Sequence, residues 1–153
     1  MKLRLNFGFT LIELLVVVAI ISLLSSIILT SLKSARIKGA DGAIKSQLLS
    51  FKTQAALYYS LHNDTYGPAT TGNCDINMFA DSAIDPMITN LYNLAGNNWY
   101  NCFTSPSAPT TSWVVIVRSS SGGAQYWCAD STGVLVSEAG GTITPSGNTV
   151  TCP

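Results

Sequence analysis

From Phe9 to Leu32 the chain is apolar with a single charged side chain, Glu13. A helix of that length spans about 36 Å, enough for a bilayer core of ~30 Å. The rest of the 153 residues suits one small domain. One membrane-crossing helix carrying one head is therefore the expected organisation. The 47% hydrophobic content beside 10% charged residues reflects this N-terminal concentration. An ordinary secretory signal has a shorter apolar core, ~7–15 residues, followed by a small-x-small cleavage site. Here Ser22, Ser25 and Ser26 sit inside the run without that pattern, and no lipobox cysteine is present. The carboxylate near its start is the anomaly. A charge at the centre of a membrane helix costs roughly 2.5–3.5 kcal/mol on insertion scales, less near the interface, so Glu13 asks for a partner.

The sequence Gly8-Phe9-Thr10-Leu11-Ile12-Glu13-Leu14-Leu15-Val16-Val17 behind a leader carrying Lys2 and Arg4 resembles the processing motif of type IV prepilins and type II secretion pseudopilins. In that family a membrane peptidase cuts after the Gly and N-methylates the new first residue. The resemblance makes Gly8 the cleavage position, Phe9 the methylated terminus and Glu13 the assembly residue. It implies a prepilin peptidase, assembly platform proteins and copies of the same chain in a helical filament as partners. It also implies a fold: α+β, with one long N-terminal helix on a small antiparallel sheet.

The chemistry of the motif is coherent. Cleavage creates a cationic amine at Phe9, and Glu13 of a neighbouring subunit can neutralise it while apolar helices pack side by side. A local reading exists too, because Thr10-x-x-Glu13 matches a capping box. That cap leaves Gly-Phe, the short basic leader and the long run unexplained. Loop charge conflicts with the motif: Lys33, Arg36 and Lys38 outnumber Lys2 and Arg4, which by the positive-inside tendency would keep the head cytoplasmic. The motif and the cysteines place it outside, and we give them precedence.

The resulting division is a leader at 1–8, a transmembrane and assembly half of the helix at 9–32, an amphipathic half at 33–66 and a head at 67–153. Ser22, Ser26 and Thr30 form a small-xxx-small stripe suited to close helix approach. No Pro interrupts the segment; Gly39 and Gly42 are the points where it would weaken, each by ~1 kcal/mol relative to Ala. Ile44, Leu48, Phe51, Ala55 and Tyr58 recur at helical spacing as the packed side. The turn formers His62-Asn63-Asp64-Thr65-Tyr66-Gly67-Pro68 end the helix, which is expected over Phe9–His62. The stretch from Ala55 to Pro68 also resembles the helix end in pilins and pseudopilins.

In the head, Asp85 is expected to cap a short helix beginning at Pro86, packed through Ile88, Leu91 and Leu94 and stopped by Gly96. Ser112–Arg118 and Ala124–Ala129 read as a hairpin joined through Ser119-Ser120-Ser121-Gly122-Gly123, with Trp113, Val115 and Val117 on one face. Val134–Val136 reads as a third strand. The segment Cys128-Ala129-Asp130-Ser131-Thr132-Gly133 resembles one in some pilin-like proteins and reads as a turn between strands.

All four cysteines, Cys74, Cys102, Cys128 and Cys152, follow the membrane run, and none forms a C-x-x-C pair. Their even number reads as two disulfides in an oxidising compartment rather than a zinc site. Three pairings are possible; Cys74–Cys102 and Cys128–Cys152 are preferred because each closes a local loop. Charge is unevenly spread: Lys33, Arg36, Lys38, Lys45 and Lys52 face only Asp41, then Asp64, Asp75, Asp81, Asp85, Asp130 and Glu138 face only Arg118. The acidic C-terminal part argues against nucleic acid as a partner. The basic stretch suits lipid phosphates, a neighbour's acidic surface or plain solvation.

Catalysis finds no support. The single histidine, His62, reads as a helix-end residue, and Asp130-Ser131-Thr132-Gly133 departs from the aspartic protease pattern. Asp130 and Glu138 fall short of the 6–8 oxygens of a calcium site, so no cofactor or metal is expected. Asn63-Asp64-Thr65 is a glycosylation sequon, and Ser105–Thr111 reads as an exposed loop. The expected function is a structural subunit of a type IV pilus or type II secretion filament, membrane-anchored before assembly with its head extracytoplasmic. The alternative is an unpolymerised, membrane-anchored binding protein using Trp99 and Tyr100.

Overall fold

The computed structural model describes residues 9–96, 100–106, 108–121, 124–139 and 150–153. The leader with Gly8, together with Trp99, Ser107, Gly122 and Gly123, therefore lies outside the described residues, as does the side chain of Glu138. Two compact units form, Met1–Arg36 and Ile37–Pro153.

The first unit is the apolar part of helix α1, Leu11–Leu61. From Phe9 to Leu32 its large apolar side chains are all exposed, and the segment is long and apolar enough to cross a membrane. The hydroxyls of its small-residue stripe are bonded to the helix backbone. Ser22 donates to the Val18 carbonyl at 2.7 Å, Ser26 to Leu23 at 2.8 Å and Thr30 to Ile27 at 2.9 Å. The polar atoms of the small-residue stripe are thereby bonded within the helix, as an apolar surrounding demands.

The second unit is α+β. The helix is continuous through Gly39 and Gly42, whose missing side chains leave open space. Its buried side is Ile44, Leu48, Phe51 and Ala55, with Tyr58 partly buried beside them. Past Leu61 the backbone turns through Asn63 and Asp64 at φ of 55° and 56°, left-handed values that Asn and Asp tolerate better than most residues. Tyr66 then donates its N–H to the Thr110 carbonyl at 2.9 Å.

A short 3₁₀ turn, Asn77–Ala80, precedes helix α2, Asp85–Leu94. Asp85 is not its N-cap: Ile84 holds that position without a side-chain hydrogen bond, and Asp85 and Pro86 lie in the first turn. The backbone is already helical at Ile84, so the helix starts one residue early and Asp85 acts on the helix dipole instead. Gly96, at φ 71°, ends it as expected.

Four antiparallel strands follow in the order β1-β2-β3-β4. They are β1 Tyr100–Thr104, β2 Trp113–Arg118, β3 Gln125–Asp130 and β4 Leu135–Ala139. Strand β1 was not expected, and β4 runs further than Val134–Val136. Tyr100, Phe103 and Thr104 suit a strand, but the five residues of β1 are short and lie in a Thr-, Asn- and Pro-rich stretch that reads as loop. Pairing to β2, with Cys102 opposite Val115, supplies what local sequence does not. Strand β2 is central and buried on both faces. Trp113, Val115 and Val117 join the core formed with α1 and α2, whereas Val114 and Ile116 pack with Cys128, Val150 and Cys152 on the other face. Phe51 sits at the middle of the main core, edge-on to Trp113 (centroids 4.9 Å, 77°) and stacked with Phe79 at 6.1 Å.

Replacing Phe51 by Ala should destabilise the head by about 3–5 kcal/mol, whereas Leu57→Ala on the exposed side should cost within about 0.5 kcal/mol. Denaturant unfolding of the full chain in detergent, followed by tryptophan fluorescence, checks the contrast.

Candidate functional site

The start of α1 brings Phe9, Thr10 and Glu13 together. The Thr10 N–H donates to Glu13 Oε2 at 2.9 Å, the Thr10 hydroxyl donates to the same oxygen at 2.7 Å, and the Glu13 N–H returns a bond of 3.3 Å to the Thr10 hydroxyl. This is the reciprocal arrangement of a capping box. One carboxylate oxygen thus satisfies helix-end donors, while Oε1 has no hydrogen-bond partner among the described residues. Phe9, Ile12, Glu13, Val16 and Val17 border one shallow apolar hollow. The carboxylate therefore stands beside exposed apolar side chains, with its Oε2 held by the two Thr10 donors.

Two carboxylates tie segments of the head together: Asp41, given no role by the sequence, and Asp130, expected in a turn between strands. Asp41, on α1, receives the β2–β3 turn: Ser119 donates its hydroxyl to both carboxylate oxygens at 2.9 Å, and Ser120 donates its N–H to Oδ1 at 2.9 Å. The Ser120 hydroxyl reaches the Ile37 carbonyl at 3.0 Å. Asp130 is fully buried. Its Oδ1 accepts from the Thr132 N–H at 2.9 Å, the Thr132 hydroxyl at 2.7 Å and the Val134 N–H at 3.2 Å, while Oδ2 accepts from the Cys152 N–H at 2.8 Å. Both oxygens of this carboxylate accept from protein donors, which suits a pin for the C-terminal segment. The expected turn Asp130–Gly133 is present, with Gly133 at φ 99° and the Lys52 ammonium directly over it.

Cys74 is bonded to Cys102 and Cys128 to Cys152, with S–S distances of 2.01 and 2.08 Å. The first joins the segment ahead of α2 to strand β1, the second joins β3 to the chain end.

The remaining candidates are engaged locally. His62 stacks on Tyr58 at 3.8 Å, and its Nδ1 lies 2.9 Å from the Tyr58 carbonyl. Tyr100 packs edge-on against Tyr92 at 5.3 Å. The Ser105–Thr111 segment is not a wholly exposed loop, since Ser105 and Thr110 are buried; Thr110 donates its hydroxyl to the Gly67 carbonyl, and Ser105 accepts from the Thr111 N–H at 3.2 Å. Among the described residues no three His, Cys, Asp or Glu side chains gather in a metal-holding group.

Residues 3–29 match a family model described as the prokaryotic N-terminal methylation motif, the hallmark of type IV pilins and pseudopilins. Neither a curated protein nor a solved structure matches the chain.

Breaking the Cys128–Cys152 link by a double Ser substitution should cost about 3.5 kcal/mol by loop entropy, and Asp130→Ala about 3–5 kcal/mol through its stranded buried donors. Both act on the Cys152 strap, so the combined variant should lose less than the two costs added. Denaturant titrations of the four proteins complete the cycle.

Proposed function

We propose that the chain is a prepilin-type structural subunit, cut after Gly8, N-methylated on Phe9 and assembled with copies of itself into a type IV pilus or type II secretion filament. The observation that carries this reading is the methylation motif at residues 3–29, continued by a helix whose apolar surface is exposed all round. A helix of that kind is stable only in lipid or among other apolar helices. Before assembly the membrane supplies those surroundings. In the filament, neighbouring copies do.

Glu13 is the residue that makes the transfer selective. Its Oε2 completes the cap, and its other oxygen is left to meet a neighbour's Phe9 amine. Opposite charges meeting in an apolar bundle reward one axial stagger and penalise others. The prepilin peptidase and an assembly platform are the protein partners this reading requires. The head, with its two disulfides, suits an extracytoplasmic position, because thiols are kept reduced in the cytosol. The chemistry assigned to the chain is structural, with no catalytic residues and no cofactor.

Gly8→Val should leave the leader attached, which intact-mass analysis of the membrane protein reads directly; a mature chain beginning at methylated Phe9 is the wild-type result. Glu13→Ala should still insert and still be cleaved, yet sheared filament yield should collapse. An incoming helix would then leave an uncompensated amine in apolar surroundings, at a cost of about 3–5 kcal/mol. Loss of the cap alone would cost about 1 kcal/mol within one subunit and spare assembly. Normal filament yield from Glu13→Ala would remove the assembly role.

A further inference from the structure

On α1, Lys38, Lys45 and Lys52 are each two helical turns apart, so their side chains form one straight row along the axis. All three are exposed. The row is turned about 90° from the centre of the buried Ile44–Leu48–Phe51–Ala55 side, at 100° per residue. It runs along the flank nearest β4, since Lys52 lies over Gly133 in the β3–β4 turn. The opposite flank of the helix, at Gln54, Leu57 and Leu61, is lined by the segment carrying Asp81. Asp75 and Asp85 belong to the same segment and are exposed. Cys74 bonds this segment to Cys102 on β1, the other edge strand. Along α1, positive charge thus follows one flank and negative charge the segment against the other, with Glu138 the one acid on β4.

We infer that these two edges bind each other between adjacent copies of the chain, the Lys38–Lys45–Lys52 row of one head meeting the Asp75–Asp81–Asp85 segment of the next. This rests on the filament reading above and adds to it a head-to-head contact independent of Glu13. Complementary patches on opposite sides of one molecule form a heterologous contact, which propagates instead of closing as a two-fold pair. The row's direction also selects a protein partner over a lipid surface. Its charges spread over roughly 21 Å along the axis, more than two screening lengths of ~8 Å. A surface crossing the axis meets only one of them, whereas a second head lying alongside and displaced along the axis can meet more than one, because Asp81 sits against the helix beyond Lys52.

The test uses native filaments assembled from mixed ¹⁴N- and ¹⁵N-labelled subunits and treated with a zero-length carbodiimide, which joins a lysine amine to a carboxylate in direct contact. Mixed-isotope peptides linking Lys38, Lys45 or Lys52 to Asp75, Asp81 or Asp85 are the expected product. Lys45→Glu with Lys52→Glu should lower sheared filament yield by about tenfold or more, because like charges facing across an interface oppose association strongly. Adding Asp75→Lys and Asp85→Lys to that variant should restore the yield. Leader removal and disulfide formation, measured in each variant, identify any that fail to fold. The inference is overturned if filaments form but yield no such mixed-isotope links, or if the fourfold reversal folds and is not rescued. It is equally overturned if the lysine variants assemble normally while losing flotation with anionic vesicles and keeping it with neutral ones, which would assign the row to lipid. Absence of filaments from the wild-type chain would instead count against the filament reading itself.

Discussion

The edge-on contact of Phe51 with Trp113, at 4.9 Å, joins the helix to the central strand, and the head is organised outward from it. Phe51 is fully buried at the middle of the helix's apolar stripe, and Trp113 opens the strand that pairs on both sides. Once these two meet, Ile44 and Leu48 fall along β2 on one side, and Phe79, stacked on Phe51, brings in the segment leading to α2. A small head cannot bury much apolar surface, so large aromatic groups at the centre matter disproportionately. The Cys74–Cys102 disulfide lies within this core, and Cys128–Cys152 within the cluster on the other face of the sheet.

Helical periodicity made the stripe from Ile44 to Tyr58 legible, because each position repeats a choice between apolar and polar. The same logic separated Trp113, Val115 and Val117 from their neighbours, yet it left Val114 and Ile116 unexplained. The run Trp113–Val117 is apolar throughout because both faces are covered, and the cover comes from Val150 and Cys152 at the far end of the chain. No local pattern announces such a cover. Strand β1 escaped for a related reason, since its polar residues are sustained by pairing with β2 and by the bond from Cys102.

Asp41 and Asp130 mark the other limit of sequence reading. In the linear chain Asp41 is the lone acid in a basic stretch and Asp130 one of several acids in an acidic one. Folding gives both a different meaning: each gathers donors from turns that would otherwise leave N–H groups without partners. Charge counting cannot distinguish a solvated carboxylate from one enclosed by four hydrogen bonds. The Asp130-Ser131-Thr132-Gly133 order carried a usable signal, since an Asp followed by Thr and then Gly is composed for a side-chain-capped turn.

The methylation motif was legible because its residues are local. Gly8, Phe9 and Glu13 lie within one short stretch, and the residues around them are apolar without interruption. The capping box at Thr10 and Glu13 does not compete with an assembly role, since it occupies Oε2 and leaves Oε1. It also holds the carboxylate close to the helix start, which in the proposed filament would limit the positions from which a neighbour's amine could approach. A freely rotating glutamate would accept that amine over a wider range of axial offsets. On the proposed filament reading, one fixed by Thr10 narrows the range, so the same hydrogen bonds that begin the helix would also sharpen the stagger at which two helices pair.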